Sequence, residues 1–193
     1  MTDEERTNES RSRGAWRTWV ERVIWVGVLG FVLYRLGPQL GALTGVAPDL
    51  GRAPDYTVVT LDGDTIRAAE LEGRVVVVNF WATWCGPCRL EMPSLQSLHE
   101  DRADDGVVVV GLSTDAGSER PIREYVDERG ITFPIARATA EQRRAFGGIA
   151  GIPTTFLIDR NGVLRHRVVG YFTPPALRAA VGRLLGEKPD SVP

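Results

Sequence analysis

Cys85 and Cys88 are the only cysteines in the 193-residue chain, and two residues stand between them in Trp84-Cys85-Gly86-Pro87-Cys88. The motif follows an apolar run ending at Phe80-Trp81 and opens a stretch with helical character. At the amino end of a helix the unpaired N–H groups and the helix dipole favour a thiolate, so Cys85 is the expected nucleophile. Cys88 lies one turn further in and is more shielded. A Cys85 thiolate that attacks a disulfide forms a mixed disulfide, and a thiol at the Cys88 spacing then displaces the product and closes Cys85–Cys88. A purely stabilising disulfide is the bland alternative, but so short a loop stabilises by only about 2 kcal/mol in the chain-entropy estimate. Half a zinc site is another, yet no second cysteine pair exists and His99 and His166 are isolated in sequence.

Alternating segments are expected to position this pair. Tyr56 to Leu61 and Thr65 to Arg67, around Asp62-Gly63-Asp64, predict a hairpin. Arg74 to Trp81 and Val107 to Leu112 are continuous apolar runs of the kind covered on both faces of a sheet. A helix from about Gly86 to Arg102 between them, and another from Glu119 to Arg129, predict parallel strands with helical crossovers. Further on, the pattern predicts a short extended piece at Thr132 to Ile135, a helix at Thr139 to Phe146 and a strand at Thr154 to Asp159. Asn161-Gly162 reads as a two-residue hairpin turn into Val163 to Val169, and Thr173 to Gly186 as a last helix with Pro174 and Pro175 in its first turn. Pro93 is expected to kink the helix that carries the cysteines.

The 43% hydrophobic and 25% charged residues suffice for an ordinary core. With 23 Lys+Arg against 25 Asp+Glu, the net charge of -2 lacks the basic excess of nucleic-acid binders, so no nucleic-acid partner is expected. Residues 1–22 read as a polar tail and residues 23–43 as a single transmembrane anchor, whose uncharged part is Val23 to Tyr34. A cleaved signal peptide is the alternative, although Pro48 adjoins the best small-residue site, Gly45-Val46-Ala47. Arg6, Arg11, Arg13, Arg17 and Arg22 precede the apolar stretch while Arg35 and Arg52 follow it, which predicts a cytoplasmic amino terminus and an external remainder. Residues 44–55 read as a Gly/Pro-rich linker, residues 56–187 as the folded domain and residues 188–193 as a tail.

The run F-W-A-T-W-C-G-P-C-R-L-E-M-P from Phe80 to Pro93, together with G-I-P-T-T from Gly151 to Thr155, resembles the thioredoxin superfamily. Within it the resemblance is to the membrane-anchored TlpA/ResA-like disulfide reductases. It implies an α/β thioredoxin-like fold, with a central mixed sheet flanked by helices, and an extracytoplasmic disulfide reductase without a cofactor or metal. Implied partners are disulfide-containing protein substrates, apocytochrome c among them, and a membrane thiol-electron donor of the CcdA/DsbD type. Pro153 matches the family's cis-proline, and Trp84, Gly86, Pro87, Ile152 and Pro153 fall on the surface that meets substrate. An ordinary strand-start proline is the alternative at Pro153.

Thioredoxin carries a buried aspartate where this chain has Asn79, and an amide does not accept the proton. Glu91, three residues after Cys88 and on its helical face, occupies the position of the TlpA/ResA-like glutamate and is assigned the base role. Its bland reading is a first-turn acid facing the helix dipole. Two other functions fit the same fold. A peroxidase is disfavoured because no Thr/Pro-x-x-x-Cys site surrounds Cys85, and copper delivery through two soft thiolates lacks an added Met- or His-rich motif.

Overall fold

The computed structural model describes Trp19, residues 21–28 and residues 50–186. Residues 21–28 are helical and exposed. Among the described residues no helix is long and apolar enough to cross a membrane. The anchor expected over 23–43 lies for the most part outside the described residues, as do the polar tail before Trp19 and the tail after Gly186.

The domain is built on a five-stranded sheet in the order β5-β4-β3-β6-β7. Its strands are β3 (Val75–Trp81), β4 (Val107–Ser113), β5 (Ile135–Arg137), β6 (Thr154–Ile158) and β7 (Leu164–Val169). β3, β4 and β5 run parallel, and β6 and β7 are antiparallel additions, so the sheet is mixed as the resemblance implied. A separate antiparallel pair, β1 (Thr57–Val59) and β2 (Thr65–Arg67), is the expected hairpin. Helices α1 (Gly86–Arg102), α2 (Arg120–Arg129), α3 (Ala140–Ala145) and α4 (Pro174–Gly186) complete the fold.

The alternation of the central strand sets which side chains serve which layer. Val75, Val77 and Trp81 join a core formed with α1, α2 and α4, while Val76, Val78 and Phe80 join one formed with Tyr56, Val58 and Phe146. Every residue of β3 is buried, which is why it reads as an unbroken apolar run. The only glycine inside a main-sheet strand, Gly111 on β4, has a packing reason. A Cβ there would stand 2.5 Å from Ile135 Cδ1 and 3.1 Å from Trp81 Nε1, so a larger residue would displace the Ile135 side chain and crowd the Trp81 ring.

Several expectations differ in detail. The extended piece expected at Thr132 to Ile135 is a strand only from Ile135, because Pro134 has no N–H to give a ladder; its carbonyl instead accepts from Gly111 N. The turn expected as two residues is a three-residue loop, Arg160 to Gly162. Asp159 N donates to Val163 O across its base, and Gly162 takes φ 73° at the left-handed position. Asp159 Oδ1 accepts from Asn161 N and Val163 N, which fixes the loop from inside. Part of the stretch read as linker is structured: Leu50 N donates to Leu164 O, and Ala53 N to Gly162 O. α1 runs through Pro93 as one helix to Arg102.

Candidate active site

β3 delivers the chain to the carboxyl edge of the sheet, and Ala82 to Trp84 turn it into α1. Cys85 caps that helix: its backbone is extended (φ -82°, ψ 108°), and its sulfur accepts from Cys88 N at 3.2 Å. Pro87 in the first turn fits there because the N–H it lacks would have had no helical acceptor. Cys85 and Cys88 are joined as a disulfide, with Cα atoms 5.2 Å apart. Cys88 is 1% exposed and Cys85 5%, whereas Trp84 beside them is 71% exposed. Gly86 and Pro87 are exposed as well, so the outer lip of the pair is open to a partner.

Ile152–Pro153 is a cis peptide bond, as the resemblance implied. Thr154 pairs with Phe80 across β3 and β6, which sets Pro153 at the level of Trp81, at the end of the sheet from which the cysteine loop departs. Pro153 is buried and its carbonyl accepts from Gly170 N at 2.8 Å, while Ile152 is half-buried and touches both cores. The cysteine pair and the proline therefore share one edge although 68 residues separate Cys85 from Pro153 in the chain.

Beneath the cysteines lies a polar chain that crosses from the sheet to α1. Asn79 Nδ2 donates to Thr155 Oγ1 at 2.9 Å, and the Thr155 hydroxyl donates to Glu91 Oε1 at 3.0 Å. Glu91 is 1% exposed, and its other oxygen, Oε2, is buried without a hydrogen-bond partner. Burial pushes the Glu91 carboxyl up to about 7, against weaker opposing pulls from the Thr155 hydroxyl and the Phe172 backbone. A carboxyl half-ionised near neutrality, one helical turn from Cys88, is suited to exchange a proton with that sulfur. This sets aside the bland reading of Glu91 as a dipole-facing surface acid.

Two groups that the sequence did not single out hold the site together. Thr155 bridges Asn79 to Glu91, and its role depends on the β3–β6 pairing of Asn79 with Thr155, which local pattern does not reveal. Asp115, just past β4, clamps the cysteine loop: it accepts from Thr83 N at 2.9 Å, from Thr83 Oγ1 at 2.6 Å and from Ser113 Oγ at 2.7 Å. Thr114 N adds a bond to Trp81 O at 2.7 Å. Removing the Asp115 carboxylate would leave these donors unpaired at a cost of about 1–3 kcal/mol for each that stays buried. The signal for Asp115 was its place at the carboxyl end of a parallel strand, where α/β sheets build their sites.

The AhpC/TSA family profile matches residues 51–167, which contain the cysteine pair, Glu91 and Pro153. The chain is 33% identical over 161 residues to the thioredoxin-like protein YneN of Bacillus subtilis, covering 82% of this chain and 91% of that one. The chain belongs to the thioredoxin-like thiol-disulfide oxidoreductases. It is also 30% identical over 168 residues to the thiol-disulfide oxidoreductase ResA of Bacillus anthracis, covering 84% and 91% of the two chains. Among solved structures, a thioredoxin-family thiol:disulfide interchange protein from Chlorobium tepidum matches at 36% identity and a TM-score of 0.66, over 70% of this chain and 96% of that one. This oxidoreductase carries its two cysteines at Cys-x-x-Cys spacing, and the chemistry open to such a pair is two-electron exchange with an external disulfide or dithiol.

Proposed function

We propose that this oxidoreductase is tethered to the membrane with its catalytic domain outside the cytoplasm, and that it reduces disulfides in protein substrates. The observation that carries the reductase assignment is the buried Glu91 carboxyl one turn from the buried Cys88, under an open lip formed by Trp84, Gly86 and Pro87. In the dithiol state the Cys85 thiolate attacks one sulfur of the substrate disulfide, and the departing substrate thiolate takes up a proton. Cys88 then gives its proton to the Glu91 carboxylate, and its thiolate attacks Cys85 Sγ. The second substrate thiolate leaves and is protonated, and Cys85–Cys88 closes. The substrate disulfide gains the two electrons that the dithiol loses; its two protons come from solvent, which recovers the proton released when the Cys85 thiolate formed and the Cys88 proton once Glu91 gives it up. Trp84, Ile152 and Pro153 supply the surface along which an extended substrate segment lies. Because the enzyme ends each cycle oxidised, it needs a dedicated reductant, for which a membrane thiol-electron donor of the CcdA/DsbD type is suited, and apocytochrome c is one suitable client.

The tether rests on the apolar run Val23 to Tyr34 and on the arginines concentrated before it, which favour an amino terminus held inside. The test uses the fact that Cys85 and Cys88 are the chain's only cysteines. In intact cells given a mild reductant, a membrane-impermeant maleimide is expected to label the full chain, which stays with the membranes after an alkaline wash. Labelling only after lysis, or release by the wash, would contradict this placement.

A further inference from the structure

A second recognition feature adjoins the cysteines. Between α1 and α2 lies a groove of about 200 Å³ with apolar walls from Met92, Pro93, Tyr125 and Ile131, and with Arg89 and Arg129 also lining it. Its remaining lining residue, Gln96, closes it in a fixed position: Gln96 Nε2 donates to Thr132 Oγ1 at 2.7 Å, and Thr132 N donates back to Gln96 Oε1 at 2.9 Å. Arg89 follows Cys88 directly and is four residues beyond Cys85, so the groove begins one helical turn from the nucleophile, about 6 Å between Cβ atoms.

The charges of this groove are unbalanced. No lining residue is acidic. Among the described residues the Arg89 side chain makes no hydrogen bond or ion pair, and the Arg129 guanidinium only stacks over the Tyr125 ring, 5.3 Å from its centroid. That stacking holds a cation at the groove while leaving its N–H fork available. Tyr125 is 8% exposed, and its hydroxyl is buried without an acceptor. Two available guanidiniums beside an apolar floor suit the groove to one carboxylate on a short apolar stem.

We propose that this groove binds an acidic side chain of the protein substrate next to the disulfide being reduced, so that the enzyme favours disulfides flanked by Glu or Asp. The proposal rests on the reductase reading, and the test separates the two. Three disulfide peptides differing only in a Glu, Gln or Lys beside the cysteine are compared, together with Cys→Ser versions that bind but do not react. With the oxidised full chain, the unreactive Glu peptide is expected to bind about 5- to 10-fold more tightly than its Gln twin, the scale of two partly exposed Arg–carboxylate contacts. The Lys peptide is expected to bind more weakly than either. R129Q should shrink the Glu/Gln ratio, R89Q/R129Q should bring it to about 1, and added salt should reduce it. Equal affinities in the wild type, or a preference that survives R89Q/R129Q, would overturn the groove proposal whatever the reduction rates. A charge preference in binding with no catalysed reduction of the reactive peptides would sustain the groove and overturn the reductase reading alone.

Discussion

Cys88→Ser is expected to stop turnover and accumulate a covalent adduct with a disulfide substrate, seen as one substrate mass added at Cys85. The reason is positional. Cys85 caps α1, where the helix amino terminus lowers thiol pKa values, and it adjoins the exposed Trp84–Pro87 lip. Cys88 is 1% exposed and within the first turn, so it meets Cys85 Sγ but not an incoming substrate. Once Cys88 is a serine, no internal thiol resolves the mixed disulfide, and only an external one releases it. Cys85→Ser should also lose turnover, falling to the uncatalysed background, and should form almost no adduct. Mass spectrometry of the two variants after brief exposure to substrate decides the order of attack. Faster adduct formation on Cys85→Ser than on Cys88→Ser would reverse the assigned roles.

The second large effect concerns Glu91. When an external dithiol reduces the Cys85–Cys88 disulfide, attack at Cys85 expels Cys88 as a thiolate, and a protonated Glu91 can supply its proton. With the carboxyl at about 7, this acid is present below neutrality and lost as pH rises through 7. The rate constant, expressed per thiolate of dithiothreitol, should therefore be highest below pH 7 and bend downward above it. Glu91→Gln keeps the shape but holds no proton to give, so the rate below pH 7 should fall by about 10²-fold and the bend should vanish. A Glu91→Gln profile that keeps the bend would exclude Glu91 as its source.

The same group ties stability to pH. Its folded pKa lies above the ordinary 4.5, so the folded oxidised protein binds more protons than the unfolded chain between about pH 4.5 and 7. The Glu91 contribution to stability is fully present below that window and falls as pH rises through it, by about 3 kcal/mol. Denaturant titrations of Glu91→Gln should lose this component of the slope.

Much of this arrangement is legible in the chain because it is local. The apolar run of β3, the first turn of α1 and the i+3 spacing of Cys88 and Glu91 depend on neighbours within about ten residues, and the structure places them as their patterns predict. The cis bond at Pro153 is not local. The glycine-rich approach only permits it, and the resemblance carried that expectation. Thr155 and Asp115 escaped notice because their partners stand 64 and 32 residues away, through strand pairings that no window along the chain contains. At β5 the error had a simple cause: Thr132 and Phe133 have strand propensity, but the missing N–H of Pro134 delays pairing until Ile135. At Asp159 the Asn-Gly signal pointed correctly to a hairpin. The aspartate's own carboxylate, which accepts two loop amides, selects the longer loop.

The reduction potential of the Cys85/Cys88 pair in the purified full chain tests the reductase claim most directly. Equilibration against a dithiothreitol or glutathione series, with the dithiol fraction read by alkylation, gives it. The Gly-Pro dipeptide and the available Glu91 proton acceptor predict a value near or below about -270 mV, that of thioredoxin. A value near about -120 mV, that of the oxidant DsbA, would mean that the pair takes electrons from its substrates, and would contradict the account.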